Sequence, residues 1–292
     1  MLNQIERCMI YCDRFKRTLI VETDRYSHFF NKPLADYFIA TQPNQILDAG
    51  PHRDALEAME VFPAALAGKL HSYKIGHDVT TNRLQEIQSR VTLTFDFAQD
   101  YAEQLLVHHQ FGGGELSHLC LARLRLQQSV ADQLLERLAS IATPYWAIHI
   151  RHTDLTTDYQ AALAELRNLD VHKLFVATDN QAVVDDFRAK LGPERIISFA
   201  TLPSKAGTPV HYEASGLETD AKNRATILDL LMLACARVLF LCKASSKHYD
   251  GYSGYSLLAR NLFNNRAIVK SLLDGKLDRY LEAHEQTYLF MF

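Results

Sequence analysis

From the amino end, apolar residues fall at Ile5, Cys8, Met9, Cys12 and Phe15. That spacing of three and four predicts an amphipathic helix over 3–16. "RTLIVET" then reads as a short buried strand and "PLADYFIA" as a helix or turn. Residues 54–68 are predicted helical, and "RVTLTFDFA" alternates as a strand does. "YAEQLLVHHQF" reads as a helix that ends at Gly112-Gly113-Gly114, and the leucines of 116–140 predict a long helix. Pro144 marks a break. After it come a strand at 145–150, a helix at 158–168, the strand "HKLFVATD" and a helix at 181–190. The strand "RIISFA", a polar loop over 202–223, a helix over 224–236 and the strand "RVLFLC" follow, then a Gly/Ser/Tyr loop over 244–255 and a helix over 256–264. Strand and helix in succession predict a parallel sheet with crossover helices. The expectation is an α/β chain of two domains, 1–143 and 144–292, with a cleft between them. Such sheets bind ligands at the carboxyl ends of their strands.

Length agrees with this division: 292 residues is room for roughly two domains of about 100–200 residues each. Hydrophobic residues make up 48% of the chain and the net charge is −3, with both signs mixed along it. A nucleic-acid binder normally carries a basic field, so none is expected as a partner. No stretch reaches the roughly 20 apolar residues of a bilayer span; the longest, Ile227 to Cys242, is broken by Asp229 and Arg237. Charges at Glu6, Arg7, Asp13, Arg14 and Lys16 exclude a signal-peptide core there. A cytoplasmic protein is expected, with peripheral attachment to a membrane left open. Cysteines 8, 12, 120, 235 and 242 form no CxxC pair and read as free buried thiols.

Polar residues gather where the strands of the second half end. The first strand yields His149, Arg151, Thr153 and Asp154, and the second Thr178 and Asp179. The last yields Ser245 and Ser246, with Ser253 and Ser256 before a helix. Singly, each has a plain structural reading: Arg151 solvated or paired locally, Asp154 or Asp179 a helix cap. Asp229 differs, because a carboxylate inside "ATILDLLMLACA" is costly unless paired. Together they suit one ligand. An arginine fork matches phosphate oxygens, a serine at a helix N-terminus also suits phosphate, and a buried aspartate accepts the N1–H and N2–H of guanine. A guanosine diphosphate site is expected. Neither GxxxxGK[ST] nor GxGxxG occurs, which leaves P-loop and dinucleotide readings without support.

"HIRHTD" is similar to the H-x-R-R-x-D segment of the GT-B fucosyltransferases: the α-1,6-fucosyltransferases, the nodulation enzymes and the protein O-fucosyltransferases. "LFVATDN" resembles their second motif, and "ILDLLMLACARVLFLC" with "SGYSLLARNL" their third, in the same order and spacing. "LNQIERCMIYCDRFKRTLIVE" resembles their first helix and strand. The resemblance implies a GT-B-like chain of two Rossmann-like domains facing a cleft, the first apparently without its opening strand and glycine-rich loop. That gap reads as truncation, a misassigned start or lost activity. It also implies roles. Arg151 would bind the donor diphosphate and stabilise the leaving group. His149 and Asp229 would line a guanine pocket, Asp154 and Asp179 would support the nucleotide or its loops, and Ser253 or Ser246 would touch phosphate. Three positions depart from the pattern: His152 replaces the second arginine, Leu155 the lysine of the α-1,6 enzymes, and Asn180 the second aspartate of the second motif.

The implied reaction is inverting transfer of fucose from GDP-fucose to a hydroxyl, with no cofactor and no metal; no D-x-D triplet occurs. A glycan or lipid-linked oligosaccharide would be the acceptor. Glu22 and Asp24 are candidate bases or merely solvated. His108, His109 and His118 lack metal-ligand spacing and read as surface histidines. Tyr249, Tyr252 and Tyr255 either stack on the ligand or pack their loop. Two other readings stand beside this one: an inactive or truncated GDP-sugar-binding homologue, and an unrelated two-domain α/β enzyme.

Overall fold

A computed structural model describes residues 2–25, 30–111, 117–141, 144–199, 201–202, 216–246, 249–281 and 287–292. Its centre is a five-stranded parallel sheet of β1 (Trp146–Ile150), β2 (Leu174–Thr178), β3 (Ile196–Ile197), β4 (Val238–Leu241) and β5 (Tyr288–Met291). The order across the sheet is β3-β2-β1-β4-β5. This is doubly wound topology: the chain steps outward from β1 in one direction, then returns to its other side. The two neighbours of β1 are thus entered from opposite directions, and a crevice opens at the carboxyl end of β1. His149 stands opposite Ala177 of β2 and Leu241 of β4.

Alternation along β1 assigns its two faces. Ile148 and Ile150 join a core with Ala162, Leu163 and Leu166 of the helix Gln160–Asn168, and with Val183, Val184 and Phe187 of Gln181–Leu191. Ala147 lies in the core of the other face, among residues of Thr219–Cys235 and Gly254–Asn264. That core also takes in Met9, Leu34, Tyr37, Leu124 and Leu134, so one apolar cluster runs beneath both halves of the chain. A smaller core of Val61, Leu66, Tyr73 and Leu93 lies within the first half.

The second half follows the sequence pattern closely. The helix expected at 224–236 begins earlier, at Thr219, because the Glu218 side chain accepts from the backbone N–H groups of Asp220 and Ala221 and caps it. The expected loop at 244–255 contains a hairpin, Ala244–Ser246 with Tyr249–Gly251.

The first half departs more. The opening helix is present at Leu2–Phe15, and Leu19–Ile20 pairs in parallel with Gln45–Ile46. The helix expected over 54–68 stops at Glu57; Val61–Phe62 then forms a strand, and Pro63 has no N–H to continue a helix. Residues 101–111 are not helical: Leu105–Leu106 pairs with Val61–Phe62. Residues 90–98 form only an isolated bridge at Thr92; their aromatic residues pack on Tyr11 instead, Phe95 at 4.8 Å. The long helix of 116–140 is divided into Ser117–Leu121 and Gln128–Ile141 by a strand, Leu124–Leu126, paired with Phe38–Ala40. Leu124 and Leu126 are buried on either side of Arg125, a period of two that the surrounding leucines obscured. The glycine run 112–114 lies outside the described residues. Among the described residues no helix is long and apolar enough to cross a membrane.

Candidate functional site

A cavity of about 750 Å³ opens at the crevice beside β1. Its wall includes His149 and Arg151 from the end of β1, Thr178 and Asp179 from the end of β2, and Asp229 and Tyr255 from the two helices beneath the sheet. Four of the seven site residues expected from sequence, His149, Arg151, Asp179 and Asp229, therefore share one wall.

Arg151 is held before any ligand arrives. Its Nε and Nη2 donate to the two carboxylate oxygens of Asp154 at 2.8 and 2.9 Å. Asp179 adds a second carboxylate, 3.5 Å from Nε. Asp154 does not line the cavity; it grips the guanidinium from the side. Asp179 accepts from the backbone N–H of His152 at 2.7 Å and from the Thr153 hydroxyl at 2.5 Å. It thereby fixes the turn that delivers Arg151.

Asn180 completes that turn. Its side-chain oxygen accepts from Ala182 N–H as a helix cap, and its Nδ2 donates to the His152 carbonyl at 2.8 Å. An aspartate could cap but could not donate to that carbonyl, which explains asparagine here. Asn180→Ala is expected to cost about 1–2 kcal/mol, read from the urea midpoint, with Asn180→Asp intermediate. His152 does not line the cavity. Its Nδ1 accepts from Thr157 N–H at 3.2 Å and its ring packs edge-on to Tyr159.

His149 is buried, with Nδ1 2.7 Å from the Ser256 hydroxyl and its ring 4.9 Å from that of Tyr255. Burial, helped by the Arg151 charge, lowers its pKa to about 3, so the imidazole is neutral. Ser253 caps the helix Gly254–Asn264 by accepting from Ser256 N–H at 3.1 Å, and its hydroxyl lies 3.0 Å from that of Ser256. Ser253 thus reaches the site through Ser256, which supports His149. Ser246 is exposed on the hairpin; neither serine lines the cavity. Tyr255 is the one tyrosine of its loop in the cavity wall, with its hydroxyl donating to Thr226 O at 2.8 Å. Tyr249 and Tyr252 hydrogen-bond to Tyr252 O and Phe292 O and pack the hairpin.

Asp229 is nearly buried and paired: Arg137 Nη1 donates to its Oδ1 at 2.8 Å. Burial raises the Asp229 pKa to about 6 against the pull of Arg137. Sequence reasoning missed Arg137. The signal was there: Val130, Leu134 and Ile141 form the buried stripe of Gln128–Ile141, and position 137 falls on it with a charge. Lys222 and Arg224 of Thr219–Cys235 also line the cavity and were missed, as were Glu218 and Asp220.

Glu22 and Asp24 do not line the cavity; both bond to Arg53, Glu22 at 3.2 Å from its Nε. His108 and His109 are partly buried rather than on the surface. His108 sits between Thr94 at 2.8 Å and Gln4 at 3.0 Å, and His109 lies 2.5 Å from the Tyr73 hydroxyl. Burial lowers both to about 4. No group of three or more metal-ligating side chains occurs among the described residues. All five cysteines are free, and all but Cys8 are fully buried.

A doubly wound sheet with charged side chains around a crevice at its first strand is an open α/β fold with a site where such sheets take their ligands. No protein-family profile matches the chain, and no curated protein does. Among solved structures, the fucosyltransferase NodZ from Bradyrhizobium superposes with a TM-score of 0.58 at 15% identity, over 89% of this chain and 88% of that one. A NodZ α-1,6-fucosyltransferase co-crystallised with GDP gives 0.56 at 14% identity over 89% and 87%. One soaked with GDP-fucose gives 0.54 at 14% over the same shares. The chain has a fucosyltransferase-like GT-B fold.

Proposed function

We propose that this chain is a glycosyltransferase that moves fucose from GDP-fucose to a hydroxyl of a glycan or lipid-linked oligosaccharide, with inversion and without a metal ion. One observation carries the reading: an arginine at the end of β1 and a buried aspartate share a single cavity in a fold like that of enzymes crystallised with GDP and GDP-fucose. Guanine would sit against Asp229 and His149, with its N–H groups donating to the carboxylate. The diphosphate would lie toward Arg151. The acceptor oxygen would attack the sugar's anomeric carbon as the bond to the β-phosphate oxygen breaks, and the hydroxyl proton would pass to the departing diphosphate or to water. The electron pair leaves with GDP, where a fixed cation stabilises the growing charge, and holding donor and acceptor together lowers the barrier further. Asp154 and Asp179 orient Arg151. Ser253 acts through Ser256 on His149.

Calorimetric titration with GDP, and with UDP as control, in EDTA tests the donor pocket. GDP binding at least about tenfold tighter than UDP is expected, one good hydrogen bond to a charged group accounting for that factor. Equal or absent binding sinks the reading. Binding of GDP-fucose without turnover, in the presence of glycan acceptors, would make the chain a nucleotide-sugar-binding protein instead.

A further inference from the structure

We propose that Arg137 reads the O6 edge of the purine, so that the base is specified by the Arg137–Asp229 pair rather than by the aspartate alone. The inference rests on the guanine-nucleotide reading above and deepens it. Arg137 comes from the first half of the sequence and Asp229 from the second, and both line the cavity. The guanidinium lies 4.9 Å over the ring of Phe199 and is pinned at one corner, Nη1 to Asp229 Oδ1 at 2.8 Å. A guanidinium held by ring and carboxylate has lost most of its freedom, so a further hydrogen bond costs little ordering entropy.

The atoms left over define what the pair can read. Arg137 Nε and Nη2, and Asp229 Oδ2, make no hydrogen bond to a described residue. None is among the buried polar atoms that lack a partner, and both residues line the cavity. A carboxylate has about four acceptor positions; Arg137 uses one of Asp229's. The pair therefore presents a donor beside acceptors. Guanine's Watson–Crick edge is the complement: O6 accepts, and N1–H and N2–H donate. Arginine to guanine O6 is a favoured contact wherever proteins read that base. Adenine presents a donor at N6 and an acceptor at N1, which opposes the pair at both positions. Hypoxanthine keeps O6 and N1–H and loses only N2–H, which belongs to the aspartate's share.

Titration of the wild-type chain and of Arg137→Met with GDP, IDP, ADP and UDP tests this. In the wild type the order GDP, IDP, ADP is expected. In Arg137→Met, GDP and IDP should weaken together by about 10–100-fold, the range for a hydrogen bond to a charged group. ADP, which gains no hydrogen bond from Arg137, should lose no affinity. Unchanged GDP binding, or a parallel loss for ADP, would overturn the proposal, since Arg137 would then be idle or merely structural. If the methionine variant fails to fold, two measurements still decide. Arg137→Lys, which keeps a charge beside Asp229, should lose several-fold for GDP and IDP alike. The wild type should bind 6-thio-GDP, whose sulfur is a weak acceptor, about tenfold less tightly than GDP. Equal binding of 6-thio-GDP and GDP overturns the proposal. A wild type that does not prefer GDP to UDP overturns the donor reading itself, and this inference with it.

Discussion

Arg151→Ala is expected to lower kcat for fucosyl transfer by about 10²–10³-fold, the roughly 2.7–4 kcal/mol lost when one fixed donor to a developing anion is removed. Two features make this variant severe. The guanidinium is positioned in advance by Asp154 and Asp179, so it needs no reorganisation as charge grows on the leaving diphosphate. Its removal also leaves the Asp179 carboxylate in the cavity wall without a cation between it and an anionic ligand. Charge that develops only in the transition state should make kcat fall more than KM rises. Steady-state assays on GDP-fucose would show this split. Near-normal turnover would remove Arg151 from the chemistry. Asp154→Asn is the informative companion. It loosens one grip on Arg151 while Asp179 keeps the other, so a smaller loss is expected.

The placing of Arg151 was legible because β1 and its neighbours are made locally. Each is a run of four or five residues, apolar but for His149 and Thr178, and each leads, in β4 by way of the hairpin, to a helix whose own period is clear. Asp229 announced itself as a charge in an apolar helix. Its partner did so as well, on the stripe of Val130, Leu134 and Ile141, but an arginine among leucines is easily counted with the polar face. The first half was less legible for a physical reason. Its strands are two to four residues long and, apart from the hairpin of Ile75–Asp78 with Arg83–Glu86, pair with distant segments, as Val61–Phe62 does with Leu105–Leu106. Such short runs have no period of their own; tertiary packing overrides local propensity there. Ser253 shows a third case. Its cap position was readable, but its distance from the cavity was not, because Ser256 lies between it and His149.

Asp229→Asn should weaken GDP far more than UDP, and should cost about 3–5 kcal/mol of stability, since it leaves Arg137 without its counter-charge in a nearly buried place. The pair's side chains are only 10% and 16% exposed, so water compensates little. The same residue sets a pH dependence whose two signs oppose each other. Burial raises its pKa from 3.8 to about 6. Between these values the native chain holds a proton that the unfolded chain has released. The Asp229 contribution to stability therefore falls as pH rises through that window and levels off above about 6, against the opposite contribution of His108, His109 and His149, which burial holds neutral. Guanine N–H groups need the ionised carboxylate, so GDP affinity rises over the same interval and then flattens. Urea unfolding and GDP titration between about pH 4 and 8, compared between the wild type and Asp229→Asn, would isolate both: the GDP slope should vanish in the variant, and the stability difference between the two chains should carry the Asp229 slope. A GDP affinity that stays flat with pH in the wild type, or an Asp229→Asn variant that loses GDP and UDP equally, would take Asp229 out of the base pocket. The carboxylate would then be only Arg137's structural partner, and the selectivity of the cavity would have to come from elsewhere on its wall.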